Sequence, residues 1–278
     1  MARIIGGLGS PHAPSIGAAI DRGQTQDPAW KPLFDGYLPM RAWLADKRPD
    51  VLIVFYNDHF SSLFLDNWPT FAISVAGEHR IADEGWGKRA LPPIPGDSAL
   101  AWHLAHHLTE NEFDLSVSHD LPLDHGCLTP LSALCDWQPH WPARVVPIQV
   151  NVLQFPLPTA RRCFRLGQAI RRAVEAYPPD LKVAVLGTGG LSHQLGGERF
   201  GFINPEWDAE FLDRLEFDPE SLAALRHQDY IERGGSDGIE EIMWLCMRGA
   251  LAPKVRRIHR NYYHATLTGY GQLLLEDA

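Results

Sequence analysis

The feature that most constrains this chain is a repeated switch from an apolar run to a polar, histidine-bearing loop. Val51-Leu52-Ile53-Val54-Phe55 is five apolar residues in a row, three of them β-branched. Such a run reads as a strand buried on both faces. It breaks at once into Tyr56-Asn57-Asp58-His59. Leu181-Lys182-Val183-Ala184-Val185-Leu186 does the same, running into Gly187-Thr188-Gly189-Gly190-Leu191-Ser192-His193. A first strand, Arg3–Leu8, leads into Gly9-Ser10-Pro11-His12. A strand-like segment, Asp120-Leu121-Pro122-Leu123, leads into Asp124-His125-Gly126 and a helix. Strands buried on both faces need helices on both sides. The expected fold class is therefore α/β: a single domain over residues 1–278 with a central, mostly parallel or mixed sheet covered by helices on both faces. Ligands in such sheets bind at the carboxyl ends of the strands.

Other elements follow from spacing. Residues 28–46 are helical in pattern, with Pro39 expected to divide two helices. Thr70–Val75, Phe113–Ser118 and Arg144–Val152 read as strands. Residues 98–111 and 160–177 read as amphipathic helices, 204–230 as helical, and 266–276 as a last strand. Residues 82–97 are acidic, aromatic and rich in glycine and proline, which predicts a long ordered loop whose role the sequence leaves open. The helix from Ile239 is largely apolar and hence buried, with Glu240 and Glu241 in its first turn. One of the two is expected to stay in solvent. The other enters apolar surroundings, where it needs a cation.

Composition narrows the function classes. In 278 residues, 45% are hydrophobic and 21% charged, as in ordinary globular chains. No apolar run approaches the roughly 20 residues of a membrane span, and the first residues lack a secretory segment. The four cysteines form no CxxC pair, so free thiols in a reducing cytoplasm are expected. A net charge of −9 without a basic block argues against nucleic acid. Gly187-Thr188-Gly189-Gly190 lacks the Lys-Ser/Thr of a phosphate loop.

What remains is a constellation. Loops after strands deliver His12, His59, His125 and His193, and a buried helix start delivers a glutamate. Two imidazoles and one carboxylate suit ferrous ion and leave three positions for a bidentate substrate and dioxygen. The same ligands suit Zn²⁺ and an activated water. No HExxH spacing separates the two.

The motifs together resemble a known family. Pro11-His12, Tyr56-Asn57-Asp58-His59, Ala82-Asp83-Glu84-Gly85, Asp124-His125-Gly126, Gly187-Thr188-Gly189-Gly190-Leu191-Ser192-His193-Gln194 and Gly238-Ile239-Glu240, followed by Met243-Trp244, resemble the class III extradiol ring-cleaving dioxygenases. The similarity is greatest to the group of the catalytic β subunit of protocatechuate 4,5-dioxygenase and gallate dioxygenase, and it runs over nearly the whole chain. The resemblance implies Fe(II) held by His12, His59 and Glu240. It implies His193 as the base that takes a catechol proton and later returns one, and His125 lining the oxygen and substrate pocket. Asn57 and Thr266 would touch the ring substituent. The implied reaction is 4,5-type cleavage of protocatechuate with O₂, with gallate or 3-O-methylgallate as the alternative substrate. A zinc hydrolase or a non-catalytic binding protein on the same fold are the rival classes. The family also implies a homo- or hetero-oligomer and a small helical α subunit, or a related extension, over the active site. No such extension is expected in this chain.

Overall fold

The apolar runs become the middle of an eight-stranded sheet. The computed structural model describes residues 1–264 and 266–278. Its strands are β1 (Arg3–Ser10), β2 (Val51–Tyr56), β3 (Phe71–Ser74), β4 (Glu78–His79), β5 (Ile94–Pro95), β6 (Ser116–Ser118), β7 (Arg144–Val150), β8 (Lys182–Thr188), β9 (Val255–His264) and β10 (Gly269–Asp277). Its helices are α1 (Pro14–Asp21), α2 (Lys31–Lys47), α3 (Ser98–Glu110), α4 (His125–Leu134), α5 (Ala160–Ala176), α6 (Pro205–Phe217), α7 (Pro219–Ala223), α8 (His227–Gly234) and α9 (Glu241–Gly249). A 3₁₀ turn, Asp237–Glu240, leads into α9. The sheet order is β6-β3-β7-β2-β8-β1-β10-β9, with β4 and β5 forming a separate ribbon. The middle strands β7, β2, β8 and β1 run parallel. β3 and β10 join them antiparallel, so the sheet is mixed.

β2 shows why both faces are covered. Val51, Ile53 and Phe55 enter a core shared with α3, α5, α6 and α9. Leu52, Val54 and Tyr56 enter a second core with α1, α2 and α4. All six are buried. Each buried Val, Leu, Ile or Phe side chain is worth about 1.5–3 kcal/mol, so β2 contributes on the order of 10 kcal/mol before chain entropy is subtracted.

Helix α9 lies unusually close to the sheet. A Cβ on Gly9 would sit 2.2 Å from Trp244 Cζ3, so only glycine leaves room for the indole against β1. Gly189, with φ of +129°, leaves the sheet just past β8, where a Cβ would lie 2.9 Å from that of Glu240. The glycines after the apolar runs therefore bring the start of α9 down to the strand ends.

Several boundaries differ from expectation. Pro39 does not split α2, which runs unbroken over Lys31–Lys47. Pro39 and Asp35, whose carbonyl loses its partner, are both exposed, while Leu33, Tyr37, Met40 and Leu44 keep one continuous buried face. Residues 120–124 make only a single bridge, Ile81 to Leu123, because Pro122 has no donor for a ladder. The 204–230 region is three helices, divided at Asp218-Pro219 and before His227. β9 was not expected: its Arg256, Arg257 and Arg260 hide the strand pattern, and charge is how a sheet edge avoids further pairing. Neither Glu240 nor Glu241 reaches solvent. Glu241 accepts from the indole N–H of Trp207 at both oxygens, 3.0 and 2.9 Å, and burial pushes its carboxyl well up. Among the described residues no helix is long and apolar enough to cross a membrane.

Candidate metal centre and active site

β1, β8 and β2 are neighbours and parallel, so their carboxyl ends open on one place. The loops leaving them carry His12, His193 and His59. The N-terminus of α4 adds His125, and the 3₁₀ turn before α9 adds Glu240. All five line one cavity of about 230 Å³ with Pro14, Leu153 and Thr268. That is below the roughly 300–1,000 Å³ of drug-sized sites and suits one small ring. A larger groove, about 580 Å³, lies at the amino ends of β2 and β7 beside Arg41, Arg48 and Cys135. The histidines do not line it, so the larger space is not where this chemistry converges.

Each imidazole is aimed by its second nitrogen. His12 Nδ1 lies 3.0 Å from Thr188 Oγ1, and its Nε2 lies 3.1 Å from Glu240 Oε1. His59 Nδ1 meets Asp124 Oδ2 at 3.0 Å, and the same oxygen accepts the His59 backbone N–H at 2.6 Å. His59 Nε2 is 3.9 Å from Glu240 Oε1. His193 Nδ1 is 2.8 Å from the carbonyl oxygen of Leu191. A carbonyl can only accept, so Nδ1 carries a proton, and in the neutral ring the lone pair is on Nε2. That Nε2 faces Glu240 Oε2 at 3.9 Å. The ring of His125 stacks on His59 with centroids 3.8 Å apart. Its Nδ1 is held by Glu84 Oε1, and its backbone N–H donates to Glu84 Oε2 at 3.1 Å.

Electrostatics follow from burial and this pairing. Burial pulls the His12 imidazole down, and Glu240 only partly opposes it. Burial also opposes charge on His59, but Asp124 and Glu240 outweigh it and raise the imidazole to about 10. Burial alone would lift Glu240, yet His12, His59 and His193 hold its carboxyl well below the usual range. Asp124 is likewise held at about 2, burial being overcome by His59, His125 and the His59 backbone N–H. The centre is thus a buried carboxylate faced by imidazole nitrogens. Ligating atoms of His12, His59 and His125 also lie within 4.8 Å of one another. A cation fits this donor set: taking the place of the proton that Asp124 and Glu240 favour on His59, it would meet imidazole nitrogens and an oxygen anion already turned inward.

The remaining sequence candidates divide. Asn57 is buried beside the cluster, with Nδ2 3.0 Å from His59 Nε2 and Oδ1 lacking a partner. Thr266 does not line the cavity. It is exposed, and its Oγ1 meets the hydroxyl of Tyr270 at 2.6 Å. Thr268 takes that place, fixed by an antiparallel bridge to His193. Sequence reasoning gave no role to Thr188, Asp124, Glu84 or Asp208. Asp124 and Glu84 stand inside quoted motifs. Asp208, which accepts from Ser192 N and Oγ at 2.8 and 2.7 Å, has no local signal because it lies on α6, 16 residues away.

Known proteins resemble this chain over most of its length. Residues 6–273 match the family described as the catalytic LigB subunit of aromatic ring-opening dioxygenase. The chain is 53% identical to gallate dioxygenase of Pseudomonas putida over 197 residues, 71% of this chain and 58% of that protein. It is 26% identical over 271 residues to a 2,3-dihydroxyphenylpropionate/2,3-dihydroxicinnamic acid 1,2-dioxygenase of Dechloromonas aromatica, covering 80% of this chain and 84% of that one. The chain thus spans well under two thirds of the gallate enzyme it matches. An uncharacterised protein of Escherichia coli K12 shares the fold, with a TM-score of 0.60 at 14% identity over 99% of this chain and 100% of that one.

Proposed function

The chain belongs to the family of catalytic LigB subunits of aromatic ring-opening dioxygenases, and from that premise we propose that it opens a small carboxylated catechol beside its diol. Residues 1–278 act as one catalytic domain. His12, His59 and Glu240 hold Fe(II). Gallate is the substrate put first, ahead of the protocatechuate favoured by the motifs alone, because the gallate dioxygenase likeness reaches 53% identity. The observation that carries the reading is the convergence of His12 Nε2 and His59 Nε2 on one oxygen of Glu240, at 3.1 and 3.9 Å.

When bound, ferrous ion supplies a Lewis-acidic, redox-active centre on which a diol and dioxygen can meet. The chain's own groups do the rest. His193 Nε2, its lone pair fixed by the Leu191 contact, accepts the phenolic proton and later returns it. Asn57 Nδ2 lies 3.0 Å from His59 Nε2, the nitrogen a cation would take, so binding frees this amide for the substrate. Thr268 replaces Thr266 as the hydroxyl wall. His125, stacked on His59, flanks the space where the ring sits. Burial of His12, His125, His193 and Glu240 limits access of water, and holding both reactants together supplies proximity.

Loops at this end of the sheet expose Phe60, Phe64, Leu65, Trp86, Phe155 and Leu195. An apolar rim of this kind supports a cover, either a small helical partner subunit or a further segment, and with it an oligomer. The four buried, unpaired cysteines go with a cytoplasmic location. The test is anaerobic purification, metal analysis and oxygen uptake with gallate, protocatechuate and 3-O-methylgallate. Iron with gallate-dependent uptake is the expected result; zinc with no uptake on any catechol would overturn the reading.

A further inference from the structure

The loop of residues 80–97 places a carboxylate against His125. Glu84 accepts twice from that one residue, with Oε1 on Nδ1 and Oε2 on the backbone N–H. His125 is the first residue of α4, so Oε2 also caps an otherwise unpartnered helix N–H. Asp124 takes the next donor, Gly126 N, at 2.9 Å. Glu84, Asp124 and His125 come close enough to suggest a second cation site. Their oxygens are instead engaged by N–H donors: Asp124 serves His59 and Gly126, and Glu84 serves His125.

Stacking on His59 fixes the plane of the His125 ring, and the edge contact with His12, centroids 5.8 Å apart, limits its tilt. Neither contact tells the ring which way to turn. A half-turn about the Cβ–Cγ bond preserves the stacking and exchanges Nδ1 for carbon. Only a hydrogen bond separates the two orientations. We propose that Glu84 is a positioning residue: it holds His125 with Nδ1 protonated and outward, and so presents the lone pair of Nε2 to the cavity. This rests on the reading of the cavity as a ring-opening site.

The loop is built for that task. Ala82 N donates to Leu123 O, and Leu123 N to Arg80 O, each at 2.9 Å, one residue before the Asp124-His125 pair. Asp83 Oδ1 ties the turn through Gly85 N and Gly87 N at 3.0 and 3.1 Å. Arg89 anchors the far side, with 2.8 Å bonds to both oxygens of Asp21 on α1 and a 3.0 Å bond to Ser132 on α4. The carboxylate therefore arrives on a strut braced against the helix it serves.

The experiment uses the full chain loaded with Zn²⁺ and ¹⁵N-labelled histidine, with His125→Gln to assign the ring signals, and the iron-loaded enzyme for kinetics. In the unaltered protein His125 should show a protonated Nδ1 and a bare Nε2. Glu84→Gln should lose that pattern. Its kcat for gallate should fall about 10–100-fold, the usual cost of losing an orienting carboxylate, with metal content and KM little changed. Glu84→Ala should fall similarly and regain turnover with added formate, which a purely structural defect would not do. An unchanged His125 pattern in both variants overturns the proposal, as does a raised KM with kcat intact. If the unaltered enzyme opens no catechol, the functional reading fails, while the nitrogen spectra still decide the role of Glu84.

Discussion

Replacing Gly9 by alanine tests whether the close seat of α9 on β1 sets the geometry of the centre. The new methyl would start 2.2 Å from Trp244 Cζ3 and 2.4 Å from Cε3. Carbon atoms settle about 3.5–4.0 Å apart, so strand and indole must separate by more than about 1 Å. The indole has no room to swing. It is fully buried, its N–H reaches Gly189 O at 3.3 Å, and Phe211 packs against it with centroids 6.2 Å apart. The displacement therefore passes to α9, one turn of which separates Trp244 from Glu240. Overpacking of this kind costs about 1–3 kcal/mol, and the rigidity of the ring argues for the upper end. Lifting Glu240 from His12 should also weaken metal binding by about tenfold or more. Urea unfolding of the metal-free protein reads the first effect, and competition with a chelator reads the second. Gly77→Ala is the control: no atom lies within 4 Å of its Cβ, so its change should stay within about 0.5 kcal/mol. Adding Trp244→Leu to Gly9→Ala should cost less than the two changes summed, because the clash goes with the ring. If Gly9→Ala unfolds like Gly77→Ala and binds metal normally, the reasoning is wrong.

Other outcomes follow from the same geometry. Asp124→Asn removes the carboxylate that serves both His59 and Gly126 and forces an amide N–H against one of these donors; metal affinity should drop about 10–100-fold in a competition titration. His193→Gln should keep its metal and lose about 10²-fold or more in kcat, whereas His59→Ala should lose the metal itself. Normal turnover in the former, or full metal occupancy in the latter, would remove that residue from its role. Glu276 is held at about 2 against burial by Trp43, Arg256 and Lys47. A depressed carboxyl contributes stability above its unfolded pKa, near 4.5, and loses it as pH falls through the folded value. Glu276→Gln should therefore cost up to about 1 kcal/mol at pH 7 and almost nothing at pH 2, measured by denaturant unfolding.

The sheet and the histidines were legible because they are written locally. β2 is an unbroken apolar run and β8 is built on the apolar run Val183–Leu186, and each ends within a few residues of its histidine. Glu240 was legible as one of two carboxylates, although the expectation that one stays in solvent failed. Nothing in Glu240-Glu241 shows that Trp207, on another helix, shelters the second. β9 was illegible because an edge strand carries charge in place of alternation. The resemblance points to Thr266, and the local sequence does not single out Thr268 two residues on, whose bridge to His193 is a long-range pairing. Pro39 misled because a proline's cost depends on which side of a helix faces water, and that is a tertiary fact.

His12 and Glu240 are separated by 228 positions in sequence. Any ion they share ties the opening loop of the chain to one near its close, with His59 between. Such an ion acts as a rivet through the completed fold and finds no comparable grip in the unfolded chain. Its binding energy then becomes resistance to unfolding, about 2.7 kcal/mol when the free ion stands at a hundred times its dissociation constant. Starving the protein of metal would thus loosen its architecture as well as silence its chemistry, and turnover in the cell would follow metal supply.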